Sequence, residues 1–394
     1  MMQPVKKIIL FRIRSMDMGG VPKVLINILE NLDREKFEPF LLIELRQGEL
    51  VKDIPRDIRI VSLVPGREEM SGNKLLLFFR LAVRHLKLKC YRFFPSLQKK
   101  KIGVYPDIEV SITHSSLPAM VRSPFTYSRK ISWFHTDLVR HHSTSKGKRI
   151  ARMMNRCDTN VFVCRSILAN LEQHLNVKIH NPVYIYNTFD REKILIKSTL
   201  PFTEDVEKKI LARTPLFVSI GRLCHEKGYD LLIEAHAELI HEGFNHSIAI
   251  IGWGPNEPQL RKAIRKHSVE GSFFLLGNKN NPYPYLLAAN YYIQSSRYEA
   301  YPLAVGEALA LNKPLISTRA GGVEELITHR ENGYLTEFSR EGLKKAIIDF
   351  LSNPSLVNHI SKQQKTFDFN KYNQHIYQQT RTLFDDTLYE RNDL

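Results

Sequence analysis

Short apolar runs alternate with turns and longer amphipathic stretches along most of this chain. In the first half the apolar runs predict seven β-strands, at residues 7–13, 39–45, 59–63, 107–113, 130–134, 159–164 and 183–186. After the first strand, Val24, Leu25 and Ile28 recur at helical spacing and predict a helix over residues 21–32. Strands that alternate with helices in this way are typical of parallel βαβ units.

The second half repeats this order, and a polar motif or a glycine turn follows each of its apolar runs. The four motifs are Gly221-Arg222 with Lys227-Gly228, Gly252-Trp253-Gly254-Pro255, Glu299 with Glu307, and Ala320-Gly321-Gly322 with Glu325. Ligands of parallel α/β sheets bind at the carboxyl ends of the strands. We therefore expect the chemistry of the second half to lie at that edge.

Glu299 and Glu307 belong to a segment that follows an apolar strand and opens a helix. Pro302 suits the first helical position, because a proline has no N–H to leave unpaired there. Glu307 lies on the helix face that continues from this turn, where a carboxylate can accept hydrogen bonds from a vicinal diol such as a ribose. The backbone N–H groups expected to face a phosphate or sugar oxygen are those of Tyr301, Leu303 and Ala304.

With these motifs in this order, the chain resembles the retaining glycosyltransferases of the GT4 family. The resemblance implies an α/β fold of two Rossmann-like domains facing across a cleft, the GT-B fold. We assign residues 1–190 to an acceptor-binding domain and residues 191–368 to a nucleotide-sugar-binding domain, with 369–394 returning to the first domain as a helix. The polar stretch that ends at Thr214 is interpreted as the connection between the domains.

The resemblance also implies roles for single residues. In the second half, Arg222 and Lys227, just past Gly221, would bind the diphosphate, Glu299 would contact the donor sugar and Glu307 the ribose. The main chain at Gly277 and Asn278 would hold the base.

In the first half, Gly19 and Gly20 would let the backbone approach the ligand closely. His135, at the end of a strand, would lie near the reacting sugar. The residues expected to act in catalysis are His135, Glu299, Arg222 and Lys227. Asp17, Asp137 and His114 are weaker candidates, because each could equally be a loop or capping residue.

The composition also indicates the cellular compartment in which the protein works. The four cysteines show no zinc-type spacing, which favours a reducing compartment. The first apolar run is too short for a signal peptide, and no window of ~18 uncharged apolar residues could span a membrane. The chain lacks the Asp-x-Asp motif of metal-dependent glycosyltransferases, so we expect neither a metal nor a cofactor. These observations predict a cytoplasmic enzyme.

Positive charge is concentrated in the first half. Residues 1–190 hold 32 Lys and Arg against 17 Asp and Glu, whereas residues 191–394 hold 25 against 24. Between Glu69 and Asp107 there is no acidic residue, and leucines and phenylalanines are interleaved with the cations. This pattern suits a helix on the anionic inner face of the plasma membrane, although a solvated helix packed on its own sheet remains an alternative. The cations concerned are Lys74, Arg80, Arg84, Lys87, Lys99, Lys100 and Lys101.

The expected function is transfer of a sugar from a nucleoside diphosphate sugar, UDP-linked, to a saccharide or lipid-linked acceptor. Retention of the anomeric configuration and a role in surface polysaccharide or lipopolysaccharide synthesis follow from the resemblance. A sugar-nucleotide epimerase of the same fold is one alternative. The second alternative is a basic nucleic-acid-binding protein, although no nucleic-acid-binding module is recognisable and one half is nearly neutral. We therefore expect no nucleic acid partner.

Overall fold

The computed structural model describes residues 6–67, 73–141, 143–202 and 205–385. The chain divides into two compact domains, of which the first comprises residues 1–188 and 374–394 and the second residues 189–373. Each domain contains one parallel β-sheet with helices between its strands. The prediction of an α/β chain with two Rossmann-like domains is therefore confirmed.

The first domain contains a seven-stranded sheet in the order β3-β2-β1-β4-β5-β6-β7. Every neighbouring pair is parallel, and all seven strands predicted in this half are present. The strands are β1 (Lys7–Ile13), β2 (Phe37–Arg46), β3 (Arg59–Pro65), β4 (Ile108–Ser111), β5 (Arg129–Phe134), β6 (Thr159–Phe162) and β7 (Pro182–Tyr184). The carboxyl ends of these strands share one edge of the sheet.

Helices connect these strands. They are α1 (Gly20–Asn31), α2 (Lys74–Phe93), α3 (Pro95–Ile102), α4 (Leu117–Val121), α5 (Leu138–His141), α6 (Thr144–Met154) and α7 (Arg165–Leu175), with a 3₁₀ turn at Glu49–Asp53. The pair α2–α3 packs on one sheet face, where Ile102, Leu88 and Tyr91 contact the apolar side chains of β1, β2 and β3. Both helices of the basic segment are thus attached to the domain's own core.

A buried polar group also ties α3 to the sheet. Arg12 of β1 donates to Glu109 of β4 through Nε at 2.8 Å, and its Nη1 donates to Gln98 of α3 at 2.8 Å. All three side chains are buried. Because a buried charge is stable only when it is paired and hydrogen-bonded, this group fixes α3 against the sheet.

The second domain contains a six-stranded parallel sheet in the order β10-β9-β8-β11-β12-β13. The strands are β8 (Leu216–Ile220), β9 (Ser247–Ile251), β10 (Phe273–Leu275), β11 (Tyr291–Gln294), β12 (Leu315–Thr318) and β13 (Tyr334–Thr336). The chain places β9 on one side of β8 and β11 on the other. A change of direction of this kind leaves a crevice at the carboxyl ends of the two central strands.

The helices of the second domain are α8 (Arg191–Ser198), α9 (Asp205–Leu211), α10 (Tyr229–His241), α11 (Glu257–Lys266), α12 (Tyr283–Ala288), α13 (Leu303–Ala310), α14 (Arg340–Ser352) and α15 (Pro354–Lys365), with 3₁₀ turns at His225–Lys227 and Gly321–Glu325. On one face of the sheet, Leu232, Ile233 and Ile347 pack with Phe217 and Phe350 in the main core. The apolar strands and the amphipathic helices thus bury a common surface, as their sequence patterns predicted.

The interpretation of residues 191–214 as a connecting link is wrong. Most of this stretch forms α8 and α9, which belong to the second domain. Ile194 is buried, and Arg191 Nε donates to Ala310 O of α13 at 3.2 Å. Only one side of α8 is covered, which is consistent with its many charged residues.

The last helix, α16 (Phe369–Asp385), begins in the second domain and belongs to the first from Gln374 onward. Its buried Phe384 packs edge-on against Phe11 of β1 and Phe37 of β2. Arg129 Nη1 of β5 donates to Leu383 O at 2.7 Å. The end of the chain therefore contributes to the core of the first domain. Residues 386–394, which the sequence also assigns to this return, lie outside the described residues.

Candidate active site

The segments that follow β8 and β11 bring two opposite charges into contact. Lys227 Nζ donates to Glu299 Oε1 at 2.6 Å, and Ser296 Oγ donates to the same oxygen at 2.5 Å. Because β8 and β11 are neighbours, residues far apart in sequence meet beyond their carboxyl ends. The structure thus joins two residues that the sequence assigned separately to the donor site.

The charge of Lys227 is maintained by this contact. Burial disfavours the ammonium form, but the Glu299 carboxylate outweighs that effect, so the pKa of Lys227 lies above its ordinary value. The side chains of Lys227 and Glu299 are 20% and 12% exposed. A cation that is fixed and only partly hydrated can stabilise negative charge on a ligand more strongly than a mobile surface lysine.

Two glycines permit this arrangement of loops. Gly228 has φ +64°, and a Cβ there would lie 2.1 Å from Ser295 O. Gly321 has φ +60°, and a Cβ there would lie 1.8 Å from Glu299 O. Any larger residue at either position would push the backbone that carries Glu299 away from its place. Gly228 and Gly321 belong to two different sequence motifs, and both help to position Glu299, which belongs to a third motif.

Glu307, the second glutamate, is buried within α13 and only 7% exposed. Tyr283 OH of α12 donates to its Oε1 at 2.9 Å. Burial raises the pKa of the Tyr283 phenol, and the Glu307 carboxylate raises it further, so the tyrosine stays protonated as a donor. The carboxylate is therefore held in one orientation. An ordinary helix acid would face solvent, and Glu307 does not.

The structure places Pro302 one position before the helix instead of at its first residue. It is the N-cap of α13, and its carbonyl accepts from Gly306 N at 3.3 Å. The backbone N–H groups of Leu303 and Ala304 lie in the first turn, where no intrahelical acceptor is available. Tyr301 precedes the helix, and its hydroxyl lies 2.6 Å from that of Tyr372.

Arg222 and the Gly277-Asn278 turn lie at the same edge of the sheet, after β8 and β10. The Arg222 side chain is exposed and forms no hydrogen bond or ion pair with the residues that the structure describes. Gly277 has φ +72° and accepts a hydrogen bond from Gly252 N at 2.8 Å. Arg222 is thus free to reorient toward a ligand, whereas the turn is fixed to the neighbouring strand.

In the first domain, His135 follows β5 directly. Its ring is parallel to the indole of Trp133, with 6.4 Å between centroids. Nε2 is buried and has no hydrogen-bond partner within the described part of the chain. Burial lowers the pKa of His135 to about 3, so the imidazole is neutral at physiological pH. A neutral ring nitrogen of this kind can exchange a hydrogen bond with a sugar hydroxyl.

Gly19 and Gly20 lie at the start of α1, after β1. Gly19 is extended, and a Cβ there would find no atom closer than 3.9 Å, so the backbone is open on that side. Asp137 is buried, and its carboxylate accepts from Val139 N at 2.8 Å and from Asn170 Nδ2 at 3.1 Å. These contacts give Asp137 the role of a helix cap.

The basic segment exposes apolar rings together with its cations. In α2, Phe78 is 75% and Phe79 is 66% exposed. Arg80 and Lys87 of α2 and Lys99, Lys100 and Lys101 of α3 are exposed, whereas Arg84 is half-buried and lies 3.4 Å from Gln47. Lys74 is the first residue of α2, and its side chain lies outside the described part of the structure.

Neither a metal-ligand cluster nor a membrane-spanning helix is present among the described residues. No three His, Cys, Asp or Glu side chains among them are grouped closely enough to bind a metal ion. None of the helices in residues 6–67, 73–141, 143–202 and 205–385 combines the length and hydrophobicity needed to cross a bilayer.

Comparison with known proteins supports a glycosyltransferase. Residues 202–367 match the family described as glycosyl transferases group 1. The chain is a glycosyltransferase with the GT-B fold. The matched residues include every motif of the second domain that follows β8 to β12. The comparisons support neither a sugar-nucleotide epimerase nor a nucleic-acid-binding protein.

Similarity to individual proteins covers most of the chain, including the residues before 202. It is 22% identical to alpha-monoglucosyldiacylglycerol synthase of Acholeplasma laidlawii, over 95% of each chain. It is 28% identical to a Campylobacter jejuni 4-alpha-N-acetylgalactosaminyltransferase acting on a diphospho-undecaprenol-linked saccharide, over 51% of this chain and 54% of that one. The crystal structure of Anabaena HepE in complex with UDP-glucose superposes with a TM-score of 0.71 at 17% identity, over 95% and 99% of the two chains. That structural likeness shows the fold.

Three residues that support the site were not identified from the sequence. Ser296 donates to Glu299, Tyr283 donates to Glu307, and Tyr372 lies 2.6 Å from the hydroxyl of Tyr301. Ser296 and Tyr283 are each next to a strand or loop that the sequence analysis had singled out. The Tyr283 and Tyr372 contacts depend on the packing of separate elements, which no spacing rule specifies, whereas Ser296 lies only three residues before Glu299.

Proposed function

We propose that this glycosyltransferase transfers a sugar from a UDP-sugar to a lipid-linked saccharide, with retention and without a metal ion. The observation that carries the proposal is the fixed Lys227–Glu299 pair, since β8 and β11 place it beyond the carboxyl ends of the two central strands. The buried Glu307 follows in α13, at the same edge of the sheet. Crystal structures of Anabaena HepE in complex with UDP or UDP-glucose, which this chain resembles in fold, support the nucleotide.

Each part of the UDP-sugar has a binding group in this arrangement. The Glu307 carboxylate, which Tyr283 holds in one orientation, accepts hydrogen bonds from the ribose diol, because two carboxylate oxygens together offer about four acceptor positions. Arg222 and Lys227 bind the diphosphate, and the N–H groups of Leu303 and Ala304 add donors to it. Glu299 contacts a hydroxyl of the transferred sugar. The Gly277-Asn278 turn provides main-chain groups for the base.

The reaction breaks the bond between the sugar C1 and the diphosphate oxygen. The acceptor hydroxyl attacks C1 from the face that the diphosphate leaves, and its proton passes to the departing diphosphate oxygen. Arg222, Lys227 and the first turn of α13 stabilise the negative charge that accumulates on the leaving group. In this scheme these positive groups carry out the role that a divalent ion plays in other glycosyltransferases.

His135 has a positioning role in the proposed step. Because its imidazole is neutral at physiological pH, it exchanges hydrogen bonds with a sugar hydroxyl without adding charge near C1. Gly19 leaves the backbone before α1 open to the acceptor or the transferred sugar.

We also propose that α2 and α3 attach the first domain to an anionic membrane, at the inner face of the plasma membrane. Exposed phenylalanines beside exposed lysines are the pattern of an interfacial helix. The names of the Acholeplasma and Campylobacter relatives specify a diacylglycerol lipid and an undecaprenol-linked saccharide. An acceptor of this kind is embedded in the bilayer that the helices would contact.

The donor proposal can be tested directly. Purified protein is incubated with UDP-, GDP- and ADP-glucose, UDP-galactose and UDP-N-acetylglucosamine in EDTA, and release of the nucleoside diphosphate is measured. We expect hydrolysis of at least one UDP-sugar, and NMR should show that an α-linked donor first releases the α anomer of the free sugar. Inverted product, or release only with added Mg²⁺ or Mn²⁺, would overturn the mechanism.

A further inference from the structure

A cavity of about 630 Å³ lies within the first domain, between α1, the final part of α16 and the segment after β7. Its walls include Asn27 of α1, Trp133 of β5 and Tyr377 of α16. The volume is in the range of pockets that bind small molecules. None of the residues that we assign to the donor or to the reaction lines this cavity.

Each charged side chain in the wall is paired with an opposite charge. Arg381 Nη2 lies 2.8 Å from Asp33 Oδ2. Asp385, at the end of α16, is paired with Lys36 at 2.7 Å. No unpaired charge therefore remains among the cavity's ionisable lining residues, Asp33, Arg381 and Asp385. A phosphate or nucleotide would find no counter-charge in this cavity, so a neutral ligand fits better.

Trp133, a residue of the cavity wall, carries a hydrogen-bond donor that is not used. Trp133 is 2% exposed, and its indole Nε1–H has no partner among the residues that the structure describes. Buried polar groups normally have a partner, because leaving one unsatisfied is costly. A ligand oxygen in the cavity would satisfy this donor.

The remaining polar groups in the wall are neutral amides and hydroxyls. Asn27 Oδ1 accepts from Thr188 Oγ1 at 2.5 Å, which directs its amide NH₂ to other partners. Amide side chains offer both donors and acceptors, and aromatic rings offer apolar faces. The other amides of the wall are Asn31, Asn187, Gln374 and Gln378. Sugars require both kinds of surface, because they carry hydroxyls around an apolar ring face.

We propose that this cavity binds a neutral saccharide, separately from the donor site. Trp133 Nε1 donates to a sugar oxygen, Asn27 and neighbouring amides exchange hydrogen bonds with sugar hydroxyls, and the ring of Tyr377 packs on a sugar face. The site holds a glycan without reacting with it. The inference rests on the first domain alone and does not depend on the proposed donor chemistry.

The first test uses tryptophan fluorescence. The chain contains two tryptophans, so a Trp253→Phe variant leaves Trp133 as the single reporter. This variant is titrated with N-acetylglucosamine, maltose and lactose and, in parallel, with inorganic phosphate. We expect a saturable change with at least one neutral sugar and none with phosphate. No change with any of the sugars at tens of millimolar, or an equal change with phosphate, would refute the proposal.

The second test fills the cavity with a larger side chain. Thr380 of α16 lines it, whereas His375 lies on the same helix outside the lining and is exposed. Calorimetry should show that Thr380→Trp loses sugar binding more than tenfold, whereas His375→Trp binds like the parent. Stabilisation of the protein by UDP should persist in Thr380→Trp, which separates this site from the donor site. Equal sugar affinity in the two variants would contradict the assignment.

A third variant tests the proposal even if the Thr380→Trp variant does not fold. Trp133→Phe keeps an aromatic ring in the wall but removes the indole donor. We expect sugar affinity to fall about two- to tenfold, as for the loss of one hydrogen bond, with unchanged circular dichroism. Unchanged affinity would show that Trp133 Nε1 does not contact the ligand and would overturn the proposed site.

Discussion

Hydrogen bonds hold the donor-site residues to different degrees. Glu307 and Lys227 are fixed by Tyr283 and Glu299, whereas Arg222 is exposed and has no described partner for its side chain. Substitution therefore has different consequences at each position. At Arg222 it should affect only the ligand, but at Lys227 it also leaves the Glu299 carboxylate without its counter-charge.

Glu307→Ala should weaken binding of UDP while the fold persists. Loss of hydrogen bonds to a carboxylate costs about 1.5–3 kcal/mol, which corresponds to about ten- to a hundredfold in affinity. Calorimetric titration with UDP measures the effect. Tyr283→Phe, which removes only the orienting hydroxyl, serves as the graded control and should give a smaller loss. If Glu307→Ala binds UDP as tightly as the parent does, the ribose assignment is wrong.

Arg222→Ala should depress turnover more than it depresses binding of uridine, because the cation acts on charge that grows as the bond breaks. Its unfolding temperature should match the parent. Lys227→Ala should lower both turnover and stability, because the paired Glu299 remains partly buried. Steady-state kinetics with the best UDP-sugar, and thermal unfolding of the same samples, distinguish the two. Equal loss of uridine and sugar-nucleotide affinity in Arg222→Ala would place this residue away from the diphosphate.

At the scale of elements, α2 and α3 have one packed side and one exposed side. Their inner side packs on the sheet through Leu88, Tyr91 and Ile102, and the Gln98–Arg12 hydrogen bond anchors α3. Their outer side exposes phenylalanines and lysines. The two interpretations made from the sequence, a helix packed on its own sheet and a helix on a membrane, therefore concern opposite sides of the same pair.

Replacement of Lys99, Lys100 and Lys101 by Ser should reduce sedimentation with phosphatidylglycerol liposomes. Each cation near such a surface contributes about 1 kcal/mol, and the effect should fade at 1 M salt, where the Debye length is ~3 Å. The matched control replaces Lys345, Lys362 and Lys365, three exposed lysines of the second domain, by Ser. Similar losses in both triple variants would indicate nonspecific attraction, and absence of binding by the parent at low salt would remove the membrane proposal.

At the scale of the whole molecule, the second domain contains a buried chain of hydrogen bonds that makes its stability depend on pH. His236 Nδ1 lies 2.9 Å from His246 Nε2, and His246 Nδ1 lies 2.8 Å from Phe244 O. Burial lowers the pKa of His236 to about 3, and burial also lowers the pKa of His246. Both rings are therefore neutral in the folded domain at physiological pH.

Stability should fall as the pH drops from 6.5 toward 3. In this window the unfolded chain takes up a proton on His236, whereas the folded domain does not, so His236 contributes a slope of at most about 1.4 kcal/mol per pH unit. The lowered pKa of His246 adds to this slope just below pH 6.5. Urea unfolding of the parent and of His236→Gln at pH 7.5, 6.0 and 5.0 measures this slope. A parent curve that is no steeper than that of His236→Gln would contradict the prediction.

Local patterns in the sequence determined the class of fold and most of its strands. Apolar runs bounded by glycine specify strands and turns because side-chain periodicity and backbone freedom are properties of a few neighbouring residues. The motifs at residues 221–228 and 299–307 could be assigned to the donor site for the same reason, since each follows a strand whose carboxyl end is set by the chain direction. The helix α8 was missed because it is only eight residues long and most of its side chains are exposed.

The tertiary structure decided which residues touch. Lys227 meets Glu299 because β8 pairs with β11, and Glu307 is oriented by a tyrosine from another helix. The neutrality of His135, the anchoring of α3 and the cavity beside Trp133 likewise arise from burial among side chains distant in sequence. Burial and hydrogen-bond pairing depend on how separate elements pack, and a local sequence pattern does not specify that packing.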